Sequence, residues 1–234
     1  MNYRIIGDDD CPLVNILLES GETVKIERGS MVYMQNVSLT GKVNSRKEGL
    51  GGILGAIGKS LVTGESMFIA EAYGEQDDAV LGIAPAIPGK ISSLEVGAKQ
   101  YRLNTGAFLA CDSSVDYSVV SQDIGKAFFG GTGGLFVMET TGYGEVLINA
   151  FGDIIELEVT DDKPMIIDNE HVVAWDSALD YRIEIASGTL GFTTGEGLVN
   201  RFTGNGKVLI QTRNTHSLAN EIRKYIPTQS NNGK

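Results

Sequence analysis

The chain has 234 residues, and its content of 42% hydrophobic and 21% charged residues is ordinary for a soluble globular protein. Its 30 glycines against 5 prolines favour a turn-rich β protein over a collagenous or disordered chain. A net charge of −11 without a basic cluster disfavours nucleic-acid binding, and no apolar run is long enough to predict a membrane span.

The first residues, the cysteines and the histidines indicate a location and a type of chemistry. The segment MNYRIIGDDDCP has no basic region followed by a long apolar run, so we expect no signal peptide. Cys11 and Cys111 are too few for a disulfide framework, which indicates reduced thiols in a cytoplasmic chain. Because the chain has only two histidines, His171 and His216, we expect no metal site. Two glycine-rich stretches at equivalent places favour a structural cause over a cofactor cradle, so we expect no cofactor.

Short segments in which apolar residues alternate with polar ones recur along the chain and predict half-buried strands. Their close spacing is typical of a sandwich, roll or barrel, so the predicted fold class is all-β. Near the C terminus, SLANEIRKYIP (217–227) predicts one short helix with Ser217 as its N-cap and Pro227 as its stop. The segments with the strand pattern are ETVKIERG, KISSLEVG, GEVLINAFG, YRIEIASGTLGF and GKVLIQTR.

Three short anchors recur in one order at nearly constant spacing, which indicates an internal repeat. They predict three β modules near residues 12–90, 91–154 and 155–216, which pack into one domain covering 1–234. The anchors are LESG, LEVG and LEVT from Leu18, Leu94 and Leu157, then GSMVY, GAFLA and EHVVA from Gly29, Gly106 and Glu170, then Thr-Gly turns at Thr63, Thr141 and Thr203.

Two aspartate pairs are the candidate catalytic residues. Asp112 and Asp116 lie in ACDSSVDYSV, and Asp176 and Asp180 lie in the similar segment AWDSALDYRI. Two carboxylates brought together by a turn could hydrolyse a glycoside or hold a metal. The corresponding first segment, YMQNVSLTGK, has neither acid, which favours a structural corner that is used in each module.

A glycine-rich segment, GLGGILGAIGKSLVTGES, is the candidate contact loop. It contains Gly58-Lys59-Ser60, but a phosphate-binding loop needs a glycine at position 53, where the chain has Ile53. We therefore interpret Ile53, Leu54 and Ile57 as an apolar loop that meets either a partner subunit or a membrane surface.

Five segments, in order and spacing, resemble the mitochondrial biogenesis family that is named for an altered-inheritance-of-mitochondria protein and has uncharacterised bacterial members. The resemblance implies duplicated units like a double-stranded β-helix or β-roll, similar to tryptophan RNA-binding attenuation protein. It also implies homo-oligomers, with trimers expected, and it supplies no catalytic residues. The segments are LVTGESMF, GIAPAIPGKI, TGYGEVLINAFGDIIELEV, IIDNEHVVAWDSALDY and LVNRFTGNGKVLIQTRN.

These observations leave three hypotheses about function. The first is a non-enzymatic, cytoplasmic, oligomeric binding or scaffold protein whose contacts use the glycine-rich apolar loops. The second is a small-molecule hydrolase that uses the paired aspartates. The third is an RNA-binding β-roll, which the acidic net charge disfavours. The repeats and the missing catalytic constellation favour the first.

Overall fold

The alternating segments form antiparallel strands throughout the computed structural model, which describes residues 1–7, 10–43, 68–121, 136–186 and 198–226. The predicted all-β class with one short C-terminal helix is confirmed. The strands are β1 (Asn2–Ile6), β2 (Leu13–Leu18), β3 (Thr23–Glu27), β4 (Met31–Gln35), β5 (Val37–Val43), β6 (Phe68–Gly74), β7 (Ala79–Ile83), β8 (Ile91–Val96), β9 (Tyr101–Asn104), β10 (Phe108–Asp112), β11 (Val115–Ser121), β12 (Phe136–Gly142), β13 (Gly144–Asn149), β14 (Ile154–Val159), β15 (Met165–Asp168), β16 (Val172–Asp176), β17 (Asp180–Ile185), β18 (Leu198–Thr203) and β19 (Gly206–Gln211), and the helix is α1 (Thr215–Arg223).

After β1, one pairing scheme occurs in three successive runs of six strands: β2–β7, β8–β13 and β14–β19. In the first run, β2 and β4 both pair with β7, while β3 and β5 both pair with β6. The second run pairs β8 and β10 with β13, and β9 and β11 with β12. The third pairs β14 and β16 with β19, and β15 and β17 with β18.

Consecutive runs join edge to edge. The second strand of one run pairs with the third strand of the next, as β3 does with β10 and β9 does with β16. Each junction produces a six-stranded sheet, with the orders β5-β6-β3-β10-β13-β8 and β11-β12-β9-β16-β19-β14. The remaining sheets, β1-β2-β7-β4 and β15-β18-β17, place β4 and β15 at their ends.

The middle anchor falls where the sequence places it. Tyr33, Ala110 and Ala174 each lie one residue beyond a β-bulge, opposite the last strand of their own run. A bulge in the same place in all three runs bends the strand in the same way each time.

The other two anchors are misplaced in the first run. Leu94 and Leu157 pair with Val146 and Val208, but the first-run residue in that position is Ile16, opposite Leu81, and not Leu18. Leu18 lies two residues from Ile16, so both side chains are on the same face of the strand. The alternating sequence pattern therefore could not show that the match to Leu18 was displaced.

The third anchor is also misplaced in the first run. The strand pairing shows that the structural equivalent of the Thr-Gly turns is at Gly74 and not at Thr63. Gly74 lies opposite Val37, just as Gly142 lies opposite Val115. Thr63 itself lies outside the described residues. The long glycine-rich segment between β5 and β6 therefore contained a false match to the repeat.

The C-terminal helix begins earlier than predicted. The side chain of Asn214 accepts a hydrogen bond from the backbone N–H of Ser217 at 2.7 Å, so Asn214 is the N-cap and the prediction of Ser217 was wrong. α1 ends at Arg223, and its apolar residues Leu218 and Ile222 are exposed. Among the described residues, no helix has the length and apolar character that crossing a bilayer requires.

Candidate binding surfaces

The first acid of each predicted pair has a structural contact that is the same in both copies. Asp112 Oδ2 accepts a hydrogen bond from the backbone N–H of Glu145 at 2.7 Å, and Asp176 Oδ2 accepts one from Lys207 N–H at 3.0 Å. Both donors are the second residue of the last strand of their run. A carboxylate that accepts from a strand amide makes a charge-assisted bond and fixes the corner.

The second acid of each pair faces solvent. The Asp116 side chain is exposed, and its Oδ1 lies 3.3 Å from Lys25 Nζ, which also donates to the carbonyl oxygen of Val115 at 2.6 Å. Asp180 is exposed as well and pairs through its backbone with Thr203. The catalytic interpretation of these four acids stays a hypothesis.

The apolar contact loop cannot be placed on the fold, since Ile53, Leu54 and Ile57 lie outside the described residues. The chain nevertheless exposes apolar side chains on a strand that the sequence did not single out as a surface. All five residues of β4 are exposed, whereas β10 and β16, which hold the same position in their runs, are almost completely buried. The exposed apolar residues of β4 are Met31, Val32, Tyr33 and Met34.

The other end of the sheet array also exposes an apolar residue. Ile166, in the middle of β15, is 52% exposed, and β18 is the one strand that pairs with β15 in the part of the chain that the structure describes. Its counterparts in the other runs, Lys25 on β3 and Arg102 on β9, lie in strands that have neighbours on both sides. β4 and β15 are therefore two open edges that carry apolar side chains.

A cavity of about 330 Å³ lies where the three runs meet at the start of α1. Two of its carboxyl groups, those of Glu27 and Glu170, have pKa values that burial raises, that of Glu27 to about 7. Among the described residues, no lysine or arginine lines it. The lining residues are Glu27, Ala86, Ile87, Asn104, Gly106, Ala107, Asn149, Asn169, Glu170, Val172, Val173, Gln211 and Thr215.

A second cavity of about 230 Å³ adjoins the edge strand β8. Trp175, the single tryptophan of the chain, lines it and is itself 2% exposed. The indole ring packs edge-on against Tyr181 and Phe202, with centroids 5.0 and 5.6 Å away. The buried Trp175 Nε1–H has no hydrogen-bond partner among the described residues.

Charged groups at the mouth of this second cavity form two ion pairs. Lys207 Nζ lies 2.6 Å from Glu156 Oε1, and Lys99 Nζ lies 3.6 Å from Asp176 Oδ2. Asp176, which the sequence suggested as catalytic, is thus the one member of the four acids shown to line this cavity. Within the described ranges, no three His, Cys, Asp or Glu side chains group closely enough to hold a metal ion.

The sequence contained a signal for the exposed strand β4 but none for the cavity beside β8. MVYM in β4 is a run of four apolar residues, which is typical of a strand that is covered on both sides rather than of one that faces water. The cavity beside β8 brings together residues from five strands and one turn, and no local pattern predicts such a site.

These features define an all-β protein of repeated antiparallel strand units with open edges and cavities between them. Its sequence places it among known relatives: a family profile described as mitochondrial biogenesis AIM24 matches residues 3–213, and the chain belongs to that family. The predicted resemblance is thereby confirmed.

Two relatives cover nearly the whole chain. An uncharacterised protein of Streptococcus pyogenes serotype M6 is 49% identical over 233 residues, which are 99% of this chain and 93% of that protein. The crystal structure of a Streptococcus pyogenes protein is 45% identical, covers 96% of this chain and 99% of its own, and superposes with a TM-score of 0.78. The likeness to tryptophan RNA-binding attenuation protein stays a prediction.

Proposed function

We propose that this protein is a non-enzymatic, cytoplasmic scaffold whose copies assemble head to tail, with β4 of one copy pairing with β15 of the next. The observation that carries the proposal is the exposure of β4. Met34 is 46% exposed, whereas the residues in the same position of the other runs, Cys111 and Trp175, are buried.

The difference has a simple structural cause. β10 is covered by β3 of the preceding run, and β16 is covered by β9. β4 belongs to the first run, and no strand of a preceding run covers it among the described residues. β15 belongs to the last run, and within the same residues no following run covers it. A second copy would supply the missing neighbour to each strand.

The two junctions inside the chain also predict the register of the one between copies. Ala110 pairs with Ile26, and Ala174 pairs with Leu103. The strand pairings within each run make Tyr33 the counterpart of these alanines and Ile167 the counterpart of Ile26 and Leu103. The contact between copies should therefore place Tyr33 opposite Ile167, Met34 opposite Ile166 and Gln35 opposite Met165.

An open, apolar edge strand is a liability for a soluble protein, because its unpaired N–H and C=O groups and its side chains can pair with any exposed strand. Pairing β4 with β15 would hide both edges and bury the apolar side chains of each. The contact is heterologous, so it closes into a ring only at the right rotation between copies. Three copies is the number that the family resemblance implies.

Nothing in the described residues favours the two alternatives. Asp112 and Asp176 are occupied by hydrogen bonds to strand amides, which supports a structural role rather than a hydrolase site. The net charge of −11 speaks against RNA, because binding to phosphates requires basic side chains.

Light scattering after size exclusion tests the assembly. The native chain should elute as a multimer of the 25.0 kDa subunit, and Met34→Asp should dissociate it, because an aspartate would be buried opposite Ile166. Tyr143→Asp is the matched control, since Tyr143 is a large exposed side chain between β12 and β13, and neither of these strands pairs with β4 or β15. A native monomer, or a Met34→Asp multimer of unchanged mass, would contradict the proposal.

A further inference from the structure

The junction between the first and second runs contains a side chain from outside the repeat. β1 pairs with β2 and places Tyr3 opposite Ile16. The Tyr3 hydroxyl donates a hydrogen bond to Glu145 Oε1 at 2.7 Å, and burial together with this bond raises the pKa of the phenol. The Ser93 side chain also bonds to it, and Asp112 is close enough to act on it electrostatically.

The corresponding place at the next junction is the 230 Å³ cavity. Strand register relates Glu145 to Lys207, Ser93 to Glu156 and Asp112 to Asp176, and all three counterparts line the cavity. The same register relates Ile16 to Leu94, which also lines it.

The strand that delivers Tyr3 has no equivalent at this cavity. β2 has β1 on its outer side, but β8, which holds the same position in the second run, is the last strand of its sheet among the described residues. The edge of β8 and the cavity are adjacent, because Ser93, Leu94 and Glu95 of β8 line the cavity. The second junction therefore repeats both the strand edge and the side-chain site that β1 uses. Among the described residues, no strand pairs with this edge and no tyrosine fills this site.

We propose that this cavity is a docking site for an extended segment of a partner protein, which adds to the edge of β8 as β1 adds to β2 and inserts a tyrosine side chain opposite Leu94. Addition of a strand to an open sheet edge is a common mode of peptide recognition, in which main-chain bonds give affinity and a pocket gives specificity.

The lining of the cavity suits a tyrosine. The apolar side chains of Leu94, Leu209 and Trp175 can pack against an aromatic ring. The polarity at the tip is reversed relative to the Tyr3 site, since Lys207 replaces Glu145 and Glu156 replaces Ser93. A phenol accommodates this reversal, because its oxygen can accept from Lys207 while its hydrogen is donated to Glu156.

Trp175 makes the site directly measurable, because it is the only tryptophan of the chain and lines the cavity. The probe is a capped peptide with the sequence of residues 1–7, MNYRIIG, titrated into the full chain while Trp175 emission is recorded. We expect a saturable change in emission. The same peptide with Tyr3→Ala should bind about tenfold or more weakly, because a buried tyrosine is a typical hot spot of an interface.

Two variants of the chain complete the test. Lys207→Ala should weaken the response about tenfold or more, because Lys207 lines the cavity and would donate to the phenol oxygen of the inserted tyrosine. Lys224→Ala should respond like the native chain, since exposed Lys224 follows α1 and does not line the cavity. The proposal is overturned if the peptide gives no saturable change up to about 1 mM, if the alanine peptide binds equally well, or if Lys207→Ala responds as the native chain does.

This site deepens the proposed scaffold role but does not depend on assembly between copies. The dissociated Met34→Asp chain should still bind the peptide, because Met34 does not line the cavity. Failure of assembly is seen in light scattering, and failure of docking is seen in Trp175 emission, so the two results are separate.

Discussion

Met34 and Trp175 hold the same position in the first and third runs of strands, yet Met34 is 46% exposed and Trp175 is 2% exposed. Trp175 is buried because it pairs with Arg102 of the preceding run. Met34 lacks such a neighbour within the described chain. The same fold position is therefore core in one run and surface in another, and a contact between copies would remove this difference.

The carboxylates of Asp112 and Asp176 should stabilise the fold. We expect Asp112→Ala and Asp176→Ala each to lower the free energy of unfolding by about 1–3 kcal/mol, because each leaves a strand N–H without its charged acceptor. Urea denaturation measures this loss. Asp116→Ala is the matched control and should cost less than about 1 kcal/mol, since its pair with Lys25 is exposed. Equal losses at Asp112 and Asp116 would argue against the structural role.

Glu27 should make stability depend on pH. Burial raises its pKa from 4.5 to about 7, so between these values the folded chain holds a proton that the unfolded chain releases. The stabilisation is fully present below about pH 4.5 and is lost as the pH rises through about 7. Because Glu27 is only partly buried, we expect the loss to be about 1–2 kcal/mol.

Glu27→Gln removes the titrating group and keeps the shape of the side chain. Unfolding free energies at about pH 5 and pH 8 should show a smaller decline for Glu27→Gln than for the native chain. Glu19→Gln, a change at an exposed glutamate, should decline as the native chain does. A decline of the same size in all three chains would show that Glu27 is not its source.

Tyr33 and Gly82 should be coupled. The Tyr33 ring lies against Gly82 so closely that a β-carbon on Gly82 would overlap it, and the Tyr33 hydroxyl donates to Asn15 Oδ1 at 2.7 Å. Gly82→Ala should destabilise the chain by about 1–3 kcal/mol through this overlap. In the Tyr33→Ala background the same change should cost much less. A double-mutant cycle by urea denaturation gives the coupling, and additive effects would contradict the close contact.

The sequence predicted the all-β class and the short C-terminal helix, because period-two alternation follows from burial on one face of a strand. The prediction was wrong where two residues fit the same sequence pattern equally well. Leu18 and Ile16 lie on the same face, so periodicity alone could not separate the true match from one displaced by two residues. The N-cap was also ambiguous in sequence, because Asn214 and Ser217 are equally good capping residues in isolation.

The binding surfaces were harder to predict than the fold for a physical reason. The aspartate pairs are repeated in sequence, and the first acid of each pair, Asp112 or Asp176, accepts an equivalent bond from the backbone N–H of Glu145 or Lys207. β4 is an open edge because, among the described residues, a strand pairs with only one of its sides. The sequence of one strand does not show which strands lie beside it. The proposed tyrosine site can be recognised only from strand register. The register shows that the cavity beside β8, at the junction of the second and third runs, corresponds to the Tyr3 site at the junction of the first and second.

The most direct test of the head-to-tail account is a disulfide between copies in the predicted register. In a Cys11→Ser background, Met34→Cys with Ile166→Cys should form covalent multimers on mild oxidation, detected on a non-reducing gel. Cys111 should not interfere, because it is buried and burial raises its pKa to about 12. Tyr33→Cys with Ile166→Cys, displaced by one residue and so directed to opposite faces, should remain uncrosslinked. Crosslinking of both pairs alike, or of neither, would contradict the pairing of β4 with β15.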